Sequence, residues 1–117
     1  MKIKRGDIYY SNLSPGQGSE QRGIRPVVII QNDFGNQHSN TTIIVPITSR
    51  YFKTKLPTHV KILNSKLIPH SMAMAEQIRT IDKSRLTDYI GHIDAQTMDK
   101  LENAIDISLG LKNGGQK

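Results

Sequence analysis

Residues Gly16 to Val28, GQGSEQRGIRPVV, concentrate hydrogen-bonding chemistry in a loop that runs straight into an apolar segment. Ser19, Glu20, Gln21 and Arg22 supply donors, acceptors and both charges, while Gly16, Gly18 and Gly23 let backbone approach a ligand closely. Arg25 enters the apolar segment beside Pro26, and Thr48 ends a second one that begins at Thr41. A guanidinium and a hydroxyl suit a phosphodiester whose own 2′-hydroxyl attacks the neighbouring phosphorus. The planar fork of Arg25 can meet charge growing on the phosphorus-bound oxygens, and Thr48 can add a hydroxyl donor to the same oxygens. Such a reaction needs positioned donors and an acid–base pair, and no metal. The same residues also suit plain structure: an arginine beside a proline as an ion-pair partner, and a strand-end threonine as a turn residue.

Other chemistries find no footing in the sequence. The loop glycines are not followed by Gly-Lys-Ser/Thr and lead into a strand rather than a helix, which is not a phosphate-binding P-loop. His38, His59, His70 and His92 lack metal-ligand spacing, no carboxylate pair is set to hold magnesium, and no Gly-x-Ser-x-Gly elbow is present. With no cysteine, neither a disulfide framework nor a thiolate metal site holds the chain together. No cofactor is expected.

Charge is distributed unevenly. The net charge is +6, yet no Asp or Glu occurs between Phe34 and Ala75, where Arg50, Lys53, Lys55, Lys61 and Lys66 all fall. Residues 1–75 carry +7 and residues 76–117 carry −1. The first part suits a polyanion through counterion release, and the second suits ordinary solvation or a protein partner. Within Arg50-Tyr51-Phe52-Lys53-Thr54-Lys55, rings alternate with cations, a pattern that fits stacking on unpaired bases as well as a solvated loop.

At 117 residues the chain is expected to form a single domain over 1–111, with 112–117 reading as a disordered tail. Its longest apolar runs, such as Val27 to Ile30, are too short to span a bilayer and no apolar leader follows the basic start, so a cytoplasmic protein is expected. The alternation in Asp7 to Leu13, the continuous Val and Ile of Arg25 to Gln31, and the β-branched run Thr41 to Thr48 predict three strands. Asn32 to Asn36 reads as a turn, and Pro46 predicts an edge position or a bulge in the third strand. Further strands are expected at Pro57 to Leu63, Ala73 to Ile81 and Tyr89 to Ile93, with a helical turn over Asp82 to Leu86. Asp94 caps a helix predicted over Ala95 to Leu109 and stopped by Gly110, with Met98, Leu101, Ile105 and Leu109 as its apolar stripe.

These residues resemble the MazF/PemK family of toxin endoribonucleases. The likeness begins at Arg5-Gly6-Asp7-Ile8-Tyr9 and peaks at Gly18-Ser19-Glu20-Gln21-x-Gly23-x-Arg25-Pro26-Val27. It continues through Pro46-Ile47-Thr48, Leu56-Pro57-Thr58-His59-Val60 and Glu76-Gln77-Ile78-Arg79-Thr80-Ile81-Asp82-Lys83-x-Arg85-Leu86. It covers nearly the whole chain in order. The resemblance implies a mainly β fold: a compact, bent antiparallel barrel of the PemK/CcdB kind, similar to a Src-homology-3 barrel, with short helices and a carboxyl-terminal helix, assembled as a homodimer. It also implies metal-independent cleavage of single-stranded mRNA at a short sequence, leaving a 2′,3′-cyclic phosphate and a 5′-hydroxyl, and neutralisation by a MazE-like antitoxin.

Arg25 and Thr48 fall on the family's catalytic positions. A guanidinium stays protonated at neutral pH, so Arg25 is read as the electrostatic and acid partner, with Glu20 or His59 as acid–base or orienting groups. Ser19, Gln21, Arg50, Lys53, Lys55, Leu56, Glu76, Gln77 and Arg79 are the expected RNA contacts, although Glu76 and Arg79 would equally suit pairing with each other or with neighbours. The stretch Ile68-Pro69-His70-Ser71-Met72-Ala73-Met74-Ala75 departs from the family's more acidic and aliphatic pattern, and bears on dimer packing and base preference. Two other functions fit the same architecture: a non-catalytic nucleic-acid-binding barrel, and a CcdB-like poison of a DNA topoisomerase.

Overall fold

A computed structural model describes residues 2–50 and 54–111. Lys53 and the tail 112–117 therefore lie outside the described residues. Seven strands form one antiparallel system: β1 (Asp7–Asn12), β2 (Ile24–Ile29), β3 (Thr41–Thr48), β4 (His59–Lys61), β5 (Met72–Met74), β6 (Arg79–Asp82) and β7 (Leu86–His92). Their order is β4-β5-β3-β2-β1-β7, with β6 joined to β3 beside that path. The path is open. The barrel expectation is met as far as a mainly antiparallel sheet with a carboxyl-terminal helix.

The run Val27-Val28-Ile29 is continuous because both faces of β2 are covered, and all three residues are fully buried. Alternation divides them. Ile8, Val28, Val45 and Ile47 enter one core together with Leu101 and Ala104 of helix α2 (Ala95–Leu109). Tyr9, Val27, Ile29 and Ile44 enter a second core with Leu13, Ile81 and Leu86.

β3 is the central strand, contrary to the edge position that Pro46 predicts. Its first half, Thr41 to Ile44, pairs with β6, and Ile47 and Thr48 pair with β5. Pro46 falls where the partner changes, so the missing N–H costs no ladder bond on that side. The expected strand Ala73 to Ile81 is correspondingly two strands, β5 and β6, separated by a 3₁₀ turn at Ala75–Gln77. β5 is wholly buried whereas in β6 only Ile81 is, and no Gly, Pro, Asn or Asp at the turn signals the break in the sequence. β4 is shorter than Pro57 to Leu63, and β7 starts earlier than Tyr89.

Asn32 to Asn36 is not a turn but the start of helix α1 (Asp33–His38): Asn32 Oδ1 accepts the Gly35 amide at 2.8 Å, so a turn-forming side chain serves as a helix cap. In α2, Asp94 caps Thr97 at 2.8 Å and Gly110 adopts a left-handed φ of 66°. Leu101 is the buried residue of the expected stripe, Met98 and Ile105 are partly buried against the first core, and Leu109 is 53% exposed.

The amino-terminal segment ties these parts together. Arg5 donates its Nε to Ile30 O at 2.9 Å and pairs through Nη2 with Glu102 of α2 at 2.8 Å, while its backbone N–H donates to Asp33 Oδ1 at 2.7 Å. Gly6 follows with φ 94°, bonded through its N–H to Ile29 O and through its carbonyl to the Ile93 amide.

Candidate active site

The β2–β3 register pairs Val27 with Pro46 and Val28 with Val45. Arg25 and Thr48 stand two residues beyond the Val27–Pro46 pair, on β2 and β3 respectively. Arg25 is exposed, and its Nε donates to Arg22 O at 3.1 Å, which fixes the root of the guanidinium. Its Nη groups have no protein partner among the described residues. Arg25 lines a cleft of about 190 Å³ with Tyr10, Ile24, Pro26, Ser49 and Lys66. Thr48 is nearly buried at 5% exposure, and its Oγ1 accepts the Arg50 amide at 3.1 Å. Because the oxygen already accepts, its proton is left to donate elsewhere. Among the described residues no hydrogen bond joins Arg25 to Thr48, Glu20 or His59.

The polar loop is held from below rather than left to solvent. Gln77 clamps it twice: its Oε1 accepts the Gln21 amide at 2.9 Å and its Nε2 donates to Ser19 O at 3.0 Å. Arg79 donates to Leu13 O at 3.3 Å, and Arg85 donates to Asn12 O at 3.1 Å and Ser14 O at 2.6 Å. Ser14 Oγ accepts the Gly23 amide at 2.9 Å, closing the neck. Within the loop, Glu20 Oε1 accepts the Gln17 amide at 2.8 Å. Glu20, Glu76, Gln77 and Arg79 line a second cleft of about 400 Å³ with Pro15.

Two of the expected RNA contacts thus carry a structural task. Gln77→Ala removes both clamp bonds, each worth about 1 kcal/mol. Amide exchange at Gln21 is then expected to accelerate about tenfold while β3 amides keep their protection. Equal exchange at Gln21 in the two proteins would show that the clamp does not order the loop.

His59 Nδ1 accepts the Leu56 amide at 3.2 Å, so that nitrogen carries no proton, and its Nε2–H donates to Glu76 Oε2 at 3.0 Å. With the His59 side chain almost wholly buried, the ring orients Glu76 instead of reaching a ligand. Glu76 Oε1 also accepts from Thr58 Oγ1 at 2.7 Å. Burial pushes the Glu76 carboxyl up, but the Thr58 and His59 hydrogen bonds and its own backbone amide outweigh burial and hold it below the ordinary glutamate range. Leu56 is 48% exposed, and Arg50 and Lys55 line a third, basic cleft.

The expected site residues therefore fall into neighbouring groups instead of one cluster: Arg25 and Thr48 at the β2–β3 end, Arg50 and Lys55 beyond them, and Glu20, Glu76, Gln77 and Arg79 under the loop. Sequence reasoning did not single out Arg85 or Thr58 as supports, nor Tyr10, Ile24 and Lys66 as walls of the Arg25 cleft. Arg85 lies within the run that carries the resemblance, but its carbonyl partners are 71 and 73 residues away.

A mainly antiparallel sheet whose central strand ends beside basic clefts, closed by one carboxyl-terminal helix, is the architecture of a small toxin class. Residues 4–109 match the family described as the PemK-like, MazF-like toxin of type II toxin–antitoxin systems, and the chain belongs to that family. It is 53% identical over 113 residues to the endoribonuclease EndoA of Bacillus subtilis, spanning 95% of this chain and 97% of that protein. It is 55% identical over 111 residues to the endoribonuclease MazF of Staphylococcus saprophyticus, spanning 93% and 92%. A solved Mycobacterial endoribonuclease in complex with its cognate antitoxin superposes with a TM-score of 0.77 at 28% identity, covering 94% of this chain and 97% of its own.

Proposed function

We propose that this protein is an endoribonuclease toxin that cuts single-stranded mRNA at a short sequence without a metal, leaving a 2′,3′-cyclic phosphate and a 5′-hydroxyl. One observation supports the reading: Arg25, with its Nη groups unclaimed, and Thr48, whose hydroxyl proton is free to donate, lie at the same end of the β2–β3 ladder. The naming of relatives more than half identical as endoribonucleases supports it.

In the reaction the 2′-oxygen loses its proton and bonds to phosphorus, and the bond from phosphorus to the 5′-oxygen breaks as that oxygen gains a proton. Charge accumulates on the non-bridging oxygens between these events. Arg25 stabilises it with a fork of donors and Thr48 adds a further donor from the other strand, both fixed before substrate arrives. Glu20 and Arg79, in the cleft beneath the polar loop, contact the bound RNA.

A small MazE-like antitoxin is the expected partner, supported by the complex formed by the Mycobacterial relative. Residues 1–111 are read as one toxin domain acting in the cytoplasm; among the described residues, no helix is long and apolar enough to cross a membrane. The working form is read as a homodimer. Ile24 and Ile68, 67% and 64% exposed, rim the Arg25 cleft and would be covered by a second copy.

The test is incubation of the purified chain with long unstructured RNA in EDTA, mapping cut sites and end groups. Discrete cuts ending in cyclic phosphate are expected. RNA left intact would favour the protein-target or simple binding functions.

A further inference from the structure

Thr48, Met72 and Lys61 stand in one row across β3, β5 and β4, because Thr48 pairs with Met72 and Met72 pairs with Lys61. Directly opposed residues share a face, and neighbouring strands lie about 4.8 Å apart, so the row carries Lys61 to a point about 10 Å from Thr48. Above the row lies a cleft of about 230 Å³ lined by Ser49, Arg50, Lys55, Lys61 and His70, with Met72 buried among its walls. Ser49 also lines the Arg25 cleft, so the two spaces adjoin.

The lining is cationic and wholly without carboxylates. Lys55 and Lys61 have no hydrogen bond or ion pair among the described residues, and no acid occurs between Phe34 and Ala75 to supply one. Elsewhere in the fold, arginines find structural partners, as Arg5, Arg79 and Arg85 do. Two unpaired lysines converging on one space are arranged for an anion from outside.

His70 adds a second, independent observation. Ser71 N donates to Ile68 O at 3.2 Å across a turn with Pro69 and His70 at its centre, and His70 has φ 69°. Proline followed by a positive φ is the pattern of a type II turn, where glycine is the residue that fits without strain. Among the described residues, His70 alone of the non-glycine residues takes such a φ. A ring is thus kept at a backbone position that would be more relaxed without one, and it lines the basic cleft.

The size of the space narrows its occupant. Sites for whole small ligands begin at about 300 Å³, so this cleft suits one part of a polymer that continues beyond it. We propose that the cleft binds the phosphodiester of a nucleotide flanking the cleaved bond, with Lys55 and Lys61 on the phosphate oxygens and the His70 ring against the attached base. The proposal rests on the ribonuclease reading and assigns Lys61 and His70 to substrate binding, outside the reacting groups.

Lys61→Ala, His70→Gly and, as a surface-charge control, Lys2→Ala are compared with the unaltered protein. The substrate is a labelled single-stranded RNA containing a mapped cut site, with its dinucleotide core as a second substrate. On the long RNA, Lys61→Ala is expected to raise KM about fivefold with kcat unchanged. It is also expected to reduce the slope of log Kd against log salt by about 0.7, the value for one phosphate contact on a single strand. His70→Gly is expected to keep or raise Tm while raising KM, which a merely structural residue would not do. Lys2→Ala changes neither, and the dinucleotide is cut alike by all.

An unchanged salt slope and KM for Lys61→Ala would overturn the proposal. So would a loss confined to kcat, or weakened binding of an acidic peptide with RNA binding intact, which would give the cleft to a protein partner. If the unaltered protein cuts no RNA, the ribonuclease reading falls, and the salt slope of direct binding still decides whether Lys61 holds a phosphate.

Discussion

Arg25→Ala is expected to lower RNA cleavage about 10³-fold while changing RNA affinity less than tenfold, in the range seen when one preorganised donor to a developing charge is removed. The asymmetry follows from position. Among the described residues Arg25 is anchored through Nε to Arg22 O alone, so truncation removes the fork without disturbing a core contact, and the fold should remain. Arg25→Lys keeps the charge but presents one compact donor group instead of a planar pair, and is expected to recover only a small part of the rate. End-group mapping on the same RNA, with Kd measured in parallel, reads both quantities. Cleavage by Arg25→Ala within tenfold of the unaltered protein would remove Arg25 from the reaction.

The largest effect on stability is expected at Gly6. A Cβ built there would lie 2.8 Å from His92 Cε1 and 2.9 Å from Nε2, and φ 94° lies in the left-handed half of backbone space that side chains avoid. The His92 ring is half-exposed but tethered, its Nδ1 lying 2.8 Å from Asp7 Oδ1, so moving it aside costs that contact. Gly6→Ala is therefore expected to cost about 2–3 kcal/mol, a fall in Tm of roughly 10 °C. Thermal unfolding of Gly6→Ala alone and with His92→Ala separates the causes: the second change relieves the collision and leaves the backbone cost. A Tm for Gly6→Ala within about 2 °C of the original would mean that the ring moves aside freely.

The parts of the fold legible in the sequence are those whose signals are local. Thr41 to Thr48 announces β3 through β-branched density, and Asp94 and Gly110 bracket α2 because cap chemistry is written in adjacent residues. Asn32 misleads for the same reason: an Asn side chain that accepts a backbone amide serves a turn and a helix start alike. The division of Ala73 to Ile81 between β5 and β6 is hard to see because none of the usual turn formers Gly, Pro, Asn or Asp marks the break at Ala75–Gln77. Pro46 reads as an edge signal because a single chain cannot display that its strand exchanges one neighbour for another.

The site is less legible than the fold. The residue types in the polar loop are evident, but the register that brings Arg25 and Thr48 to the same end of the β2–β3 ladder depends on how far the connection between the strands carries the chain, not on spacing. Gln77 reads equally as an RNA contact and as a support until its two loop bonds are seen. Lys61 looks like one more solvated cation until β4 is docked on β5 and the row to Thr48 appears.

The pairing of β1 with β7 also sets a timetable for the newborn chain. Asp7 meets His92 across 85 residues, and the loop carrying Glu20 is braced by Gln77, Arg79 and Arg85, all made long after the loop itself. A ribosome-bound chain that has exposed Arg25 and Thr48 still lacks the strand that seals β1 and the side chains that set the loop. Contacts this distant close late in folding. Cleavage is thus expected only once the chain has been made past His92 and β7 has paired with β1.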